Sequence, residues 1–212
     1  MISGVSAGGN LAAAVGTKLR DEGLSGKIRG QLLTMPVTQA HDFETSSYRA
    51  NRNDFGLSQP RMLDCWAKYT LGHNYKDALQ SMIQNKHVPQ EKRNEFDKLC
   101  GNSPLLSRTV KSPTDYNAWK RLQPCVENPY CAPMVAKDLT GIAPSIIVAG
   151  EQDVLRDDGL MYAERLQQSG VKVFILNSEE TFHGTTGMKD IAPLDYKKTY
   201  QKMLSHLKEC LE

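Results

Sequence analysis

The sequence predicts an α/β fold: a mostly parallel sheet interrupted by a long helical insertion. Three observations carry this expectation. A strand-to-helix turn motif occupies the first ten residues, the middle of the chain is polar and strandless, and strand and helix alternate regularly after Ala143. Such alternation places parallel strands side by side with helices packed on the sheet.

Taken in order, Gly4-Val5-Ser6-Ala7-Gly8 fits G-x-S-x-G, the tight turn that holds a serine hydroxyl up for attack on an acyl carbon. A β-carbon at Gly4 or Gly8 is expected to collide with the neighbouring strand or helix. Asn10 to Glu22 then reads as a helix stopped by Gly23, and the apolar run within Arg29 to Val37 reads as a buried strand closed by Pro36. From about Ser46 to Ser112 the pattern is helical, with Met62, Leu63, Trp66 and Tyr69 at helical spacing, which suits an inserted cap.

The run from Pro144 to Gly150 is apolar on both faces, as an interior parallel strand requires. Asp158 to Ser169 follows as a helix with Leu160, Met161, Ala163 and Leu166 inward and Gly170 as its stop. Val171 to Leu176 is the next strand. Tyr196 to Leu211 closes the chain as an amphipathic helix with Tyr200, Met203, Leu204 and Leu207 inward.

The bulk properties narrow the function. A formal net charge of +2 with scattered Lys and Arg gives no footprint for nucleic acid. No apolar run approaches the roughly 20 residues needed to span a bilayer. The five cysteines, Cys65, Cys100, Cys125, Cys131 and Cys210, lack metal-like spacing. An odd number reads as free thiols, although Cys125 and Cys131 lie close enough in one loop to pair. Neither a metal nor an organic cofactor is implied.

Acyl transfer by a serine needs a base for its proton and an acid to orient that base. In an open parallel sheet these groups gather in loops at the carboxyl ends of the strands. Asp153 follows the strand ending at Gly150, and His183, flanked by Gly184, follows the strand from Val171. The order Ser6, Asp153, His183 is that of the α/β-hydrolases. Asp157 and Asp158 read as acids at a helix start, favoured by its dipole. Among the other histidines, His41 comes too early, His73 and His87 are expected to be solvated, and His206 lies on the surface of the last helix.

The stretch Gly4-Val5-Ser6-Ala7-Gly8-Gly9-Asn10-Leu11-Ala12-Ala13, with Asp153-Val154-Leu155-Arg156-Asp157-Asp158-Gly159, resembles the hormone-sensitive-lipase-like esterases. Within them it is most similar to the branch of arylacetamide deacetylases and neutral cholesterol ester hydrolases. Phe182-His183-Gly184 and, in the cap, His87-Val88-Pro89 are similar too. The resemblance implies an α/β-hydrolase fold, a Ser6–His183–Asp153 triad, and a lipophilic small-molecule ester or acetamide as substrate.

It also implies that the match covers only the carboxyl-terminal part of a family member. The amino-terminal strands, the His-Gly-Gly-Gly oxyanion loop and the anchor that ties the animal enzymes to the endoplasmic reticulum membrane would all lie upstream of Met1. Val5 stands where the family usually has Asp. The backbone N–H of Ala7 would then be the one oxyanion donor left, the strand at Arg29–Val37 would be an exposed sheet edge, and activity would be impaired. A non-catalytic binding or decoy fragment is the alternative reading.

Overall fold

A computed structural model describes residues 1–107, 113–187 and 193–211. Its centre is a four-stranded, all-parallel sheet in the order β1 (Ile2–Val5), β2 (Gln31–Thr34), β3 (Ser145–Gln152), β4 (Val173–Phe182). Helix α1 (Ala7–Asp21) connects β1 to β2, and α7 (Arg156–Gln168) connects β3 to β4. Between β2 and β3 lie α2 (Ser46–Ala50), α3 (Gln59–Leu71), α4 (Lys76–Ile83), α5 (Gln90–Leu99) and α6 (Tyr116–Val126). Helix α8 (Pro193–Leu211) ends the chain.

The two-residue period of the strands divides the core. Leu33 and Ile147 point to one face, where Ala12 and Ala13 of α1 and Met161, Ala163 and Leu166 of α7 cover them. Leu32, Ile146 and Val148 point to the other, against Met203 and Leu207 of α8. Of the inserted helices, α2, α3, α4 and α6 bury a separate core around Phe43, Tyr48, Leu63, Trp66, Met82 and Leu122, joined by Val154 and Leu155 from the end of β3. Phe96 of α5 packs instead with the α1 and α7 face of the sheet.

Several expectations need correcting. Residues 108–112 of the expected insertion lie outside the described residues, and the helical stretch continues through α6 to Val126. Strand β2 is no edge: β1 pairs with it from Ile2↔Gln31 to Val5↔Thr34, so the outer strand is β1. Four residues before the turn suffice for a strand because β2 supplies a full ladder. On α8, Tyr200 and Leu204 are exposed, because the helix turns Met203, His206 and Leu207 towards the sheet instead. Leu160 is only half-buried.

Cys125 and Cys131 form a disulfide, brought together as the chain turns back after α6. Cys65 and Cys100 are free, and the side chain of Cys210 lies outside the described residues. His87 is fully buried rather than solvated, stacked on Phe43 with Nε2 bonded to the Ala40 carbonyl. His206 is half-buried and stacks on Phe174, while His73 is exposed.

Strands β3 and β4 stay in register from Ser145↔Val173 to Gly150↔Ser178 and then slip. Beyond that point β3 advances two residues, to Gln152, while β4 advances four, to Phe182. The surplus in β4 is a bulge, and Gly150 sits beneath it. A β-carbon there would lie 2.8 Å from the Thr181 carbonyl oxygen.

Candidate active site

The turn after β1 holds Ser6 at φ 55° and ψ −120°, a conformation costly for any residue with a side chain. Three restraints impose it. The Ser6 N–H donates to the Thr34 carbonyl at 2.9 Å, its carbonyl accepts from Asn10 N at 3.1 Å, and Gly4 packs directly under the carbonyl of Gly8. A β-carbon on Gly8 itself would meet nothing within 4 Å, contrary to the sequence expectation. The crowded second glycine is Gly9, where a β-carbon would lie 3.0 Å from the Pro36 side chain. Ala7 opens α1, so its N–H belongs to the positive end of the helix dipole.

Asp153 leaves the end of β3 fully buried. Its Oδ1 accepts from Leu155 N at 2.9 Å, and its Oδ2 lies 2.8 Å from His183 Nδ1. The other ring nitrogen, His183 Nε2, is 3.0 Å from Ser6 Oγ. An ionised carboxylate only accepts, so Nδ1 carries the proton and Nε2 is free to accept from the serine hydroxyl. Ser6, His183 and Asp153 therefore form one hydrogen-bonded chain at the carboxyl end of the sheet.

Sequence reasoning treated Asp157 and Asp158 as helix-start acids, and their role is larger. Asp157 Oδ2 accepts from Ser46 Oγ at 2.7 Å and Ser47 N at 2.6 Å. Asp158 accepts from Gln39 Nε2 at 2.9 Å and Thr38 N at 3.2 Å. The two carboxylates thus moor the segment leaving β2 to the start of α7. Burial pushes Asp158 up to about 7 against the pull of these donors. Burial, then the Asp158 carboxylate, holds the Tyr48 phenol well above its ordinary value, and burial lifts the Cys100 thiol to about 12. Neither is a nucleophile in that state.

Two asparagines escaped the sequence reading. Asn10, buried in α1, donates from Nδ2 to the carbonyls of Val37 and Cys131, both at 2.8 Å. Asn51 donates from Nδ2 to the carbonyls of Glu151 and Asp153, both at 3.1 Å. An amide inside the otherwise apolar opening of α1 was the available signal for Asn10. Asn51 left none, since its partners are backbone atoms 100 residues away.

Beside the serine, α1 and α3 flank a half-open apolar cavity of about 250 Å³ lined by Ala7, Asn10, Leu11, Val37, Met62, Cys65, Trp66 and Tyr69. Among the described residues, no three His, Cys, Asp or Glu side chains cluster so as to hold a metal ion. No described helix is long and apolar enough to cross a membrane.

A family model described as the alpha/beta hydrolase fold matches residues 1–100 and 87–187. The chain is 39% identical over 195 residues to arylacetamide deacetylase of Bos taurus, covering 87% of this chain and 48% of that protein. It is 37% identical over 201 residues to neutral cholesterol ester hydrolase 1 of the same species, covering 86% and 47%. Among solved structures, a bacterial heroin esterase superposes with a TM-score of 0.63 at 26% identity, covering 99% of this chain and 51% of that one. The chain spans about half the length of the relatives it matches.

Proposed function

Because the chain belongs to the alpha/beta hydrolase fold family, we propose that it carries the catalytic half of a serine carboxylic ester hydrolase. The hydrogen-bonded chain from Ser6 Oγ through His183 to Asp153 is the observation that carries this reading. Ser6 Oγ attacks the acyl carbon while His183 Nε2 takes its proton. Asp153 stabilises the imidazolium so formed, and His183 returns the proton to the departing alkoxide or amine. Water, deprotonated by His183, then releases the acyl group from Ser6.

The N–H of Ala7 donates to the developing oxyanion, aided by the dipole of α1. No His-Gly-Gly-Gly run occurs in the 212 residues to add further donors. Each such donor is worth about 2.7–4 kcal/mol of transition-state stabilisation, so these residues alone should turn over slowly. Helices α2 to α6 act as the cap. The cavity between α1 and α3 takes the apolar arm of a small ester or acetamide, in line with the names of the relatives. At about 250 Å³ it lies below the range that holds a whole drug-sized ligand, so it seats one arm only.

The test is hydrolysis of p-nitrophenyl acetate and butyrate together with covalent labelling by an alkyl fluorophosphonate. A slow release that disappears in Ser6→Ala, with the adduct on Ser6, is expected. Release that survives Ser6→Ala would sink the proposal.

A further inference from the structure

The turn between α2 and α3 crosses the site at two points, and nothing in the proposed chemistry accounts for it. At its start, Asn51 Nδ2 bridges the carbonyls of Glu151 and Asp153. Near its end, Gly56 presses on the histidine loop: a β-carbon there would lie 2.7 Å from the His183 carbonyl oxygen and 3.1 Å from its nitrogen. Between them Phe55 stacks edge-on against Phe182, at 5.7 Å, although the Phe55 residue is 85% exposed. An apolar ring left that far in water is held by its one aromatic neighbour rather than by a core.

The turn is itself braced. Asp54 N donates to the Asn51 carbonyl, Gly56 N to Asp54 Oδ1, and Gln59 N to the Arg52 carbonyl. Gln59 in turn reaches back to the Phe43 carbonyl, and Arg52 pairs with Glu44. The segment is therefore a stiff connector that touches the acid loop with one end and the histidine loop with the other.

We propose that residues 51–56 are a positioning strap that fixes the spacing between Asp153 and His183, with Gly56 required because only a bare α-carbon fits against the His183 backbone. The strap touches no substrate atom and acts through the two loops it joins. Its catalytic meaning rests on the reading of Ser6, His183 and Asp153 given above, whereas its geometric content does not. Displacing a positioned group by an ångström costs on the order of 100-fold in rate. The overlap at Gly56 demands a backbone shift of a substantial part of that.

The test compares Gly56→Ala and Asn51→Ala with the unaltered chain, using Gly26→Ala as control because a β-carbon there meets nothing within 4 Å. The first readout is the NMR signal of the proton between His183 Nδ1 and Asp153. The second is labelling by an alkyl fluorophosphonate, in which Ser6 Oγ forms the bond to phosphorus, fluoride leaves and His183 takes the hydroxyl proton. In Gly56→Ala the proton signal should shift or broaden away. Its maximal labelling rate should fall about 10- to 100-fold at an unchanged half-saturating concentration. Asn51→Ala should do the same to a smaller degree, and Gly26→Ala should change nothing.

Circular dichroism and thermal melting show whether each variant is folded. If Gly56→Ala is not, Asn51→Ala carries the comparison. A proton signal unmoved in the folded variants overturns the strap. Absence of a Ser6 adduct in the unaltered chain overturns the hydrolase reading instead, and the proton signal still decides the strap.

Discussion

The α-carbon of Gly4 lies so close under the Gly8 carbonyl that a β-carbon on Gly4 would overlap that oxygen, whereas one on Gly8 would stand in open space. The two glycines of the G-x-S-x-G turn are therefore unequal. Gly4→Ala should abolish cooperative folding or lower stability by more than about 3 kcal/mol, as overpacking against backbone does. Gly8→Ala, in the first turn of α1, should be neutral or stabilising by up to about 1 kcal/mol. Thermal melts of both variants check this, and equal losses would contradict it.

Ser6 at φ 55° holds strain that a glycine would release. Ser6→Gly and Ser6→Ala lose the same hydroxyl, so their difference isolates the backbone. The glycine variant should be more stable by about 1 kcal/mol, since strain of about 1–3 kcal/mol outweighs the entropy that glycine adds to the unfolded chain. Both should be inert to fluorophosphonate. Urea denaturation read side by side decides it; an alanine variant as stable as the glycine would mean the turn is relaxed.

Asp153→Asn would keep its carbonyl on the Leu155 N–H and turn its amide N–H towards His183 Nδ1, 2.8 Å away, favouring the wrong tautomer. In a Ser-His-Asp site this substitution leaves the geometry intact and lowers kcat by about 10⁴-fold. Labelling of Ser6 should slow comparably while the melting temperature changes little. A variant that labels at the original rate would remove Asp153 from the mechanism.

Three buried groups set the pH profile. Burial, followed by the nearby Arg93, lowers His41 and His87 to about 3. Their unfolded values lie near 6.5, so as pH falls from about 6.5 the unfolded chain binds protons first and stability is lost. Asp158, raised to about 7, works oppositely: its contribution is present in acid and lost as pH rises from about 4 to 7. Two groups outweigh one, so stability should peak near pH 6.5. It should then fall by about 1.4 kcal/mol per pH unit towards pH 4. In His87→Phe the remaining histidine and Asp158 nearly cancel, and the acid limb should flatten. Urea midpoints at pH 5, 6.5 and 8 measure this, and an unchanged slope would refute it.

The parallel sheet and its covering helices were legible because each is written locally, as apolar runs such as Ile146–Val148 and stops such as Gly23 and Gly170. Ser6, Asp153 and His183 were singled out by their order and by the strands ahead of them. What escaped depends on where distant segments meet. Nothing near His87 in sequence foretells its burial against Phe43, and the Cys125–Cys131 bond follows from the path taken after α6. Asp157 and Asp158 have the sequence look of dipole acids because their partners, Thr38 to Ser47, lie over 100 residues earlier.

The bulge in β4 makes chain length, rather than composition, the sensitive variable there. Its two surplus residues fold away a rise of about 6.6 Å that a flat strand would spend carrying His183 past Asp153. Because the surplus is even, side chains beyond it keep their faces. Removing two residues from 179–181 should therefore flatten the strand while leaving Phe182 opposite Gln152, so His183 stays beside its acid. Removing one should instead turn the ring to the opposite side. A change of one residue in the length of the segment, unlike a loss of its two surplus residues, disconnects the histidine from its neighbours.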